Sequence, residues 1–376
     1  MVHLRDGLSR RYIIVLIAGM LLLGVLLAAG PAVAMDCAPG PNGAGVYVCD
    51  ARQSVPRFDS PDYPRESIFF STTYAWLEDF APLYSAPDAG AEVVKSFDVG
   101  LLYTTIEGTA TDAAGRLWYR VADDHWARAE DVHVVEESKL TGVEINVEPE
   151  RPFGWVRHVV RPSPEAGVLP PEDTPWISRY TFVEIYDVVE GEDDRIWYNI
   201  GDGRWVKEIY VALVDVSPRP EDVGEDEFWV EVDLYEQVMA AYEGDRMVYA
   251  GLVATGIPPF DTNEGLFQVW AREEETHMYG GELDDYYYLQ DVPHTQFFDE
   301  EIALHGAYWH NDFGAVRSHG CVNMPPRDAE WVFNWSENAP NTLWVYVHES
   351  EPDHLLARYG EMMAADTGYV TASGAQ

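Results

Sequence analysis

The sequence predicts a mainly β protein, with two small β-barrels followed by a larger β-rich domain that contains a short helix. Three observations predict this fold class. Aromatic residues recur at a fixed offset between residues 71–140 and residues 150–215. Within each repeat, short runs alternate apolar and polar residues and end at Gly, Asp or Pro, a pattern typical of antiparallel strands. Beyond residue 227, further strand-like runs flank one segment whose apolar residues have helical spacing.

The internal repeat has an offset of 79 positions. The matched pairs are Arg116 and Arg195, Trp118 and Trp197, Tyr119 and Tyr198, Trp126 and Trp205, Trp76 and Trp155, Tyr103 and Phe182, and Ile106 and Ile185. A constant offset across so many aromatic and aliphatic positions indicates two copies of one module. We expect Trp118, Trp126, Trp197 and Trp205 to fill the cores of the barrels, because small domains need large side chains to build a core.

The two modules resemble bacterial SH3-like repeats, in which a hairpin with Gly or Asp leads to a Trp near the end of the unit. The resemblance covers residues 71–140 and 150–215. It implies that the modules bind cell-wall polymer. The residues themselves leave a second interpretation open, in which the tryptophans serve only as barrel cores.

Residues 1–34 predict export. Arg5, Arg10 and Arg11 precede an apolar run over residues 13–29, and Ala32-Val33-Ala34 follows. This order is typical of a secretory signal peptide. The apolar run has 17 residues, the lower limit for a membrane-spanning helix, so an uncleaved membrane anchor is the alternative. Both interpretations place the rest of the chain in the cell wall or on the extracytoplasmic face of the membrane.

The charge of the chain excludes one class of partner. The sequence has 24 Lys and Arg against 65 Asp and Glu, and its formal net charge is -41. A surface this acidic repels the phosphate backbone of nucleic acids, so we predict no nucleic-acid partner.

The three cysteines fall into two groups. Cys37 and Cys49 lie close together in an irregular leader at residues 35–70, and we predict that they form a disulfide in the exported protein. Cys321 is left alone, 272 residues further along the chain. An unpaired thiol in an oxidising compartment is either buried in a core or used for chemistry.

The third domain spans residues 227–350, after an acidic, proline-rich linker at 216–226 and before a C-terminal tail at 351–376. Its first strands form a predicted hairpin with a turn at Glu243-Gly244-Asp245. The segment "PPRDAEWVFNWSEN" has helical spacing, with prolines placed to begin the helix.

The residues around Cys321 carry the chemistry. His305-Gly306 is followed, twelve residues later, by the run Ser318-His319-Gly320-Cys321-Val322-Asn323. A catalytic cysteine needs a base, backbone donors for an oxyanion and a turn that exposes the sulfur. His305 ends a predicted strand and can adjoin Cys321 from a neighbouring strand, while Gly320 lets the backbone approach a substrate closely. The pattern predicts cysteine-based acyl transfer.

Residues 227–348 resemble the L,D-transpeptidase catalytic domain, also called the YkuD domain, and residues 318–323 are the most specific part of the likeness. The resemblance implies that Cys321 is the nucleophile, His305 the general base and His319 a supporting histidine. It implies further that the Gly306 carbonyl orients the base and that Gly320 forms the oxyanion turn.

The wider domain agrees with this resemblance. Asp233 and Gln237 stand at typical positions of the opening hairpin, and "TNEGLFQV" resembles a further stretch of the family. Asn263 stands where proline is usual and Asn341 where glycine is frequent. Asn tolerates turn conformations, so both replacements fit the fold.

The resemblance implies an enzyme of cell-wall biogenesis and cell shape that joins peptidoglycan stem peptides through a cysteine acyl-enzyme, without a cofactor. We expect Ser318, Asn323, Tyr308 and Trp309 to contact the substrate. Two alternatives remain: an L,D-carboxypeptidase that uses water as acceptor, and a non-catalytic cell-wall-binding protein that works through the repeats.

No metal is predicted for this site. A zinc site built from His305, His310 and His319 is the alternative, but the spacing of these histidines matches no metal-binding motif.

Overall fold

A computed structural model gives the architecture. The structure describes residues 57–61, 72–121, 124–281 and 286–350, together with the backbone of two short strands nearer the N-terminus. Residues from Arg57 onward belong to one compact unit. The predicted signal peptide or anchor at 1–34 and the predicted tail at 351–376 lie outside the described residues.

The two short strands, β1 (Cys37–Pro39) and β2 (Tyr47–Cys49), pair in an antiparallel ladder. Their register sets the backbone of Cys37 opposite that of Cys49. The side chains of both strands are outside the described residues, so the disulfide stays a prediction.

The fold is mainly β, which confirms the predicted class. Strand β3 (Phe58–Asp59) precedes the first repeat, and β12 (Val143–Ile145) separates the two repeats. The strands of the first repeat are β4 (Tyr74–Leu77), β5 (Pro82–Tyr84), β6 (Val93–Ser96), β7 (Leu101–Thr105), β8 (Gly108–Thr111), β9 (Leu117–Val121), β10 (His125–Arg128) and β11 (Val132–Val134). The strands of the second repeat are β13 (Phe153–Val156), β14 (Phe182–Glu184), β15 (Asp187–Glu190), β16 (Ile196–Asn199), β17 (Trp205–Lys207) and β18 (Val211–Val214).

The two repeats have corresponding strands. With the offset of 79 residues, β4 corresponds to β13 and β8 to β15, and a 3-10 turn precedes the last strand of each repeat, at Ala129–Asp131 and Glu208–Tyr210. Trp118 is fully buried and Trp197 is 5% exposed. Each of these indole N–H groups donates to an aspartate of the preceding turn, Asp112 or Asp193. The SH3-like nature of the repeats stays a prediction.

The C-terminal segment adds nine strands and a helix in chain order. They are β19 (Phe228–Asp233), β20 (Val238–Glu243), β21 (Arg246–Leu252), β22 (Gly265–Gln268), β23 (Ala271–Gly280), β24 (Tyr287–Asp299), β25 (Ile302–Gly306), β26 (Val322–Met324), α1 (Pro326–Ser336) and β27 (Trp344–His348). The predicted turn joins β20 to β21, and Gly244 within it has a φ of 58°, a left-handed conformation that favours glycine.

Strands of the repeats and of the C-terminal segment share two sheets. One sheet has the order β11-β4-β7-β24-β25-β26, with β23 paired to β24, and the other has the order β22-β27-β19-β20-β21-β12-β3. Parallel pairing of β7 with β24 covers a strand edge that would otherwise expose unpaired backbone groups. The three segments predicted as separate domains are therefore joined by backbone pairing, and their predicted boundaries stay a prediction.

Helix α1 lies where the proline-led pattern predicts it. Pro326 occupies its first turn, where its missing N–H has no intrahelical partner to lose. Ala329, Val332 and Phe333 pack into the core beneath the sheets. Asp328 is fully buried and accepts hydrogen bonds from the Gly142 N–H, at 3.0 Å, and the Tyr249 hydroxyl, at 2.9 Å. Across the ranges given above, no helix is long and apolar enough to cross a membrane.

Candidate active site

Two adjacent parallel strands bring His305 and Cys321 to one cleft. Strand β25 pairs with β26 so that His305 is opposite Asn323, and Cys321 directly precedes β26. Neighbouring strands in a sheet lie about 4.8 Å apart, so sixteen residues of intervening chain are bridged by a single strand spacing. His305 and Cys321 line the same cavity, which has a volume of about 400 Å³.

The turn before Cys321 is fixed by its own serine. The Ser318 hydroxyl donates to the Cys321 carbonyl and accepts the Gly320 N–H at 3.1 Å. Gly320 has a φ of 109°, a conformation that residues with a Cβ rarely adopt. This geometry explains why Ser and Gly occupy these two positions of the motif.

Two side chains outside the motif support the turn from below. The Thr262 hydroxyl donates to the Gly320 carbonyl at 2.7 Å and accepts the Gly256 N–H at 3.0 Å. The Gln237 amide exchanges hydrogen bonds with Thr255, whose carbonyl accepts the Ser318 N–H. The Gln237 position agrees with the family resemblance, while the contact of Thr262 was not predicted from the sequence.

The thiol and the imidazole are both neutral at rest. Burial raises the pKa of the Cys321 thiol to about 11, although a hydrogen bond from the Ala303 backbone acts in the opposite direction. Burial lowers the pKa of His305 to about 4, partly offset by the Gly306 carbonyl. His305 Nδ1 lies 3.3 Å from that carbonyl oxygen, so the ring donates from Nδ1 and keeps Nε2 unprotonated. A neutral ring of this tautomer can accept a proton from a thiol.

Most of the predicted site residues line the cleft. Besides His305 and Cys321, they are Trp309, Ser318, His319 and Asn323. His319 is exposed and packs between the rings of Phe260 and Tyr287, with ring centroids 4.6 and 5.4 Å away. The catalytic and binding roles of these residues stay predictions.

Tyr308 requires a correction, because it does not line the cleft. It is 1% exposed, its ring stacks on Tyr74 at 3.7 Å, and its hydroxyl donates to the Gln290 carbonyl at 2.6 Å. Successive residues of an extended chain point to opposite sides, so only one of Tyr308 and Trp309 can face the cavity. The first repeat, not the substrate, is the neighbour of Tyr308.

Several residues that line the cleft were not predicted from the sequence. They are Leu101, Ile257, Met278, Tyr287, Leu289, Val316 and Arg317. Leu101 belongs to the first repeat and reaches the cleft because β7 pairs with β24, opposite Tyr287. Arg317 had a signal in the sequence, since it directly precedes the motif, but hydrophobic cleft residues on distant strands had none.

The site offers no cluster for a metal. Among the residues that the structure describes, no group of three or more His, Cys, Asp or Glu side chains is arranged to hold a metal ion. His310, a member of the alternative zinc site, is instead bonded to Asn323 and to the Asp312 backbone.

Comparison with known proteins places the site in a family. Residues 227–347 match the family model of the L,D-transpeptidase catalytic domain, which is 121 of the chain's 376 residues (347 minus 226). This segment is therefore an L,D-transpeptidase catalytic domain by sequence. No curated protein matches the chain.

Similar solved structures are also L,D-transpeptidases. One from Enterococcus faecium has 25% identity and a TM-score of 0.30, covering 32% of this chain and 50% of that protein. One from Stackebrandtia nassauensis has 23% identity and a TM-score of 0.27, covering 35% of this chain and 60% of that protein. One from Mycobacterium smegmatis has 18% identity and a TM-score of 0.30, covering 57% of this chain and 93% of that protein. The chain thus spans half to three fifths of the length of the first two.

Proposed function

We propose that the protein is an exported L,D-transpeptidase that forms peptidoglycan cross-links through an acyl-enzyme on Cys321. The observation that carries the proposal is the pairing of β25 with β26, which opens His305 and Cys321 onto one cleft. The family match of residues 227–347 supports the same chemistry.

The first step forms a thioester. His305 Nε2 takes the thiol proton as the Cys321 sulfur attacks the carbonyl carbon of the third residue of a stem tetrapeptide. Because the resting pair is neutral, proton transfer accompanies attack instead of preceding it. The C–N bond to the terminal D-alanine then breaks, and its amine leaves with the proton held by His305.

The second step releases the acyl group. The side-chain amine of another stem peptide attacks the thioester and gives a proton to His305, and the C–S bond breaks. The new amide is a 3→3 cross-link, and the thiolate recovers the proton from His305. The N–H groups of the Gly320 turn are the candidate donors for the oxyanion of both steps.

The test is intact-mass analysis of the protein after incubation with a carbapenem, whose strained amide leaves a covalent acyl group on an attacking thiol. We expect a mass gain equal to the whole carbapenem on the wild type and none on Cys321→Ala. A folded wild type that gains no mass, and that does not turn over a stem tetrapeptide, would contradict the proposal.

Product analysis separates the two possible acceptors. With a tetrapeptide donor and an amine acceptor, we expect the mass of the joined peptide. A tripeptide with no joined product would assign the protein as an L,D-carboxypeptidase. Wall binding by the repeats without either product would leave the non-catalytic alternative.

A further inference from the structure

We propose that His310 is a positioning residue that turns the side-chain NH2 group of Asn323 into the active-site cleft, where it donates a hydrogen bond to a carbonyl oxygen of the bound stem peptide. The inference rests on the proposed function for the identity of the substrate. The hydrogen bonds around the two side chains carry it, and they can be tested without turnover.

The contacts of His310 fix its tautomer. The backbone N–H of Asp312 donates to His310 Nδ1 at 3.1 Å, so Nδ1 is an acceptor and carries no proton. A neutral imidazole has one N–H and one acceptor nitrogen, so the proton must be on Nε2. His310 is 8% exposed, and burial lowers its pKa to about 3, which keeps the ring neutral. Charged groups near the ring include Arg317, Asp312 and Arg179.

The tautomer of His310 dictates the orientation of Asn323. The Asn323 side-chain amide lies 3.0 Å from His310 Nε2. Because Nε2 is a donor, the amide must present its carbonyl oxygen to the ring, and its NH2 group then takes the other side. Asn323 lines the cleft, two residues after Cys321 and opposite His305 in the strand register. The NH2 group is thereby set beside the nucleophile as a preoriented donor.

The second repeat holds the backbone that fixes this tautomer. Arg179 donates to the Asp312 carboxylate at 3.2 Å and to the Phe313 carbonyl at 3.0 Å. The Tyr180 hydroxyl donates to the Asn311 carbonyl at 2.5 Å and accepts the Phe313 N–H at 3.2 Å. The N–H of Asp312 is thus anchored on both sides. A chain of direct contacts runs from the second repeat through Asp312 and His310 to Asn323.

The first measurement is the tautomer itself, read by nitrogen NMR of protein labelled at histidine, with His310→Phe used to assign the signal. We expect a neutral ring that is protonated at Nε2. Protonation at Nδ1, or a charged ring at neutral pH, overturns the proposal. Neither result depends on whether the protein is a transpeptidase, so failure here is distinguishable from failure of the proposed function.

The second measurement is a double-mutant cycle on the rate of acylation of Cys321. Asn323→Ala is expected to lower the rate by about 10- to 100-fold, the range for removal of one preoriented donor. His310→Phe is expected to have a similar effect, and the double variant should be no slower than either single variant. His133→Phe, a surface histidine of the first repeat, is the matched control and should acylate at the wild-type rate.

Two outcomes of the cycle overturn the proposal. One is a double variant whose loss equals the product of the single losses, since independent effects multiply. The other comes from Asn323→Asp, which keeps an acceptor for His310 but has no NH2 group and should fall to the level of Asn323→Ala. Wild-type acylation by Asn323→Asp would show that the amide donates nothing. This isosteric variant also covers the case in which His310→Phe does not fold.

Discussion

The two repeats have corresponding strands but bury opposite faces. Phe97 of the first repeat is 4% exposed and packs against Tyr288 of β24, at 4.8 Å between ring centroids. Its counterpart in the second repeat, Trp176, is 59% exposed. On the other face the order reverses, because Trp76 of the first repeat is 39% exposed, whereas its counterpart Trp155 is 2% exposed.

The reversal follows from how each repeat meets the catalytic segment. The first repeat adds strand β7 to the edge of β24 and buries the face that bears Phe97. The second repeat packs Trp155 into a core shared with Trp229 and Tyr242. The tryptophans at the centre of each repeat, Trp118 and Trp197, are buried in both. A duplicated module thus keeps its own core, while its neighbours decide which of its outer residues are buried.

The largest expected effect is a reversal of mutational cost at matched positions. Phe97→Ala and Trp155→Ala should each lower the free energy of unfolding by about 3–5 kcal/mol, because each deletes a buried aromatic ring. Their counterparts Trp176→Ala and Trp76→Ala should stay within roughly 0.5–1 kcal/mol, because both rings are largely exposed. Denaturant unfolding of the four variants measures this. Equal costs at the two members of either pair would contradict the asymmetry.

The second effect concerns pH, because only the junction of the second repeat contains this buried carboxyl. Glu236 is 4% exposed and accepts from Arg157 at 2.7 Å and from the Leu213 N–H at 2.9 Å. Burial raises the pKa of Glu236 to about 8 against the pull of both donors. The folded state therefore binds a proton that the unfolded state releases above pH about 4.5, so this contribution is full below that pH and is lost as pH rises towards 8.

The variant Glu236→Gln isolates this contribution. From pH 5 to pH 8 the wild type should lose on the order of 2–3 kcal/mol of stability more than the variant does. The melting temperature of both proteins across this range measures the difference. A wild type that instead gains stability with rising pH, relative to the variant, would mean that Glu236 is ionised and paired with Arg157.

The smallest expected effect compares single hydroxyl groups of the two repeats, both of which contact the chain between His305 and Cys321. The Tyr103 hydroxyl makes one bond, to the Trp309 carbonyl at 3.3 Å, whereas the Tyr180 hydroxyl makes two. Each hydrogen bond contributes about 0.5–1.5 kcal/mol. Tyr180→Phe should therefore slow acylation of Cys321 several-fold more than Tyr103→Phe. A larger effect of Tyr103→Phe would assign the greater influence on the site to the first repeat.

Local patterns of the sequence determined the β class, the repeat, helix α1 and the motif at residues 318–323. Strand alternation, the constant offset and the proline-led helical spacing each depend on residues near one another in the chain. The turn that carries Cys321 is equally local, because Ser318 and Gly320 build it from their own hydrogen bonds and dihedral angles. Physical chemistry within a few residues was enough to predict these features.

Only the tertiary structure decided which face of each repeat is buried, that Leu101 reaches the cleft, and that Trp309 and not Tyr308 faces it. These outcomes depend on the parallel pairing of β7 with β24, whose partners Leu101 and Tyr287 are far apart in the chain. They depend as well on the stacking of Tyr74 on Tyr308. A strand edge or an aromatic ring specifies that it needs a partner, but its own sequence does not specify which distant segment supplies one.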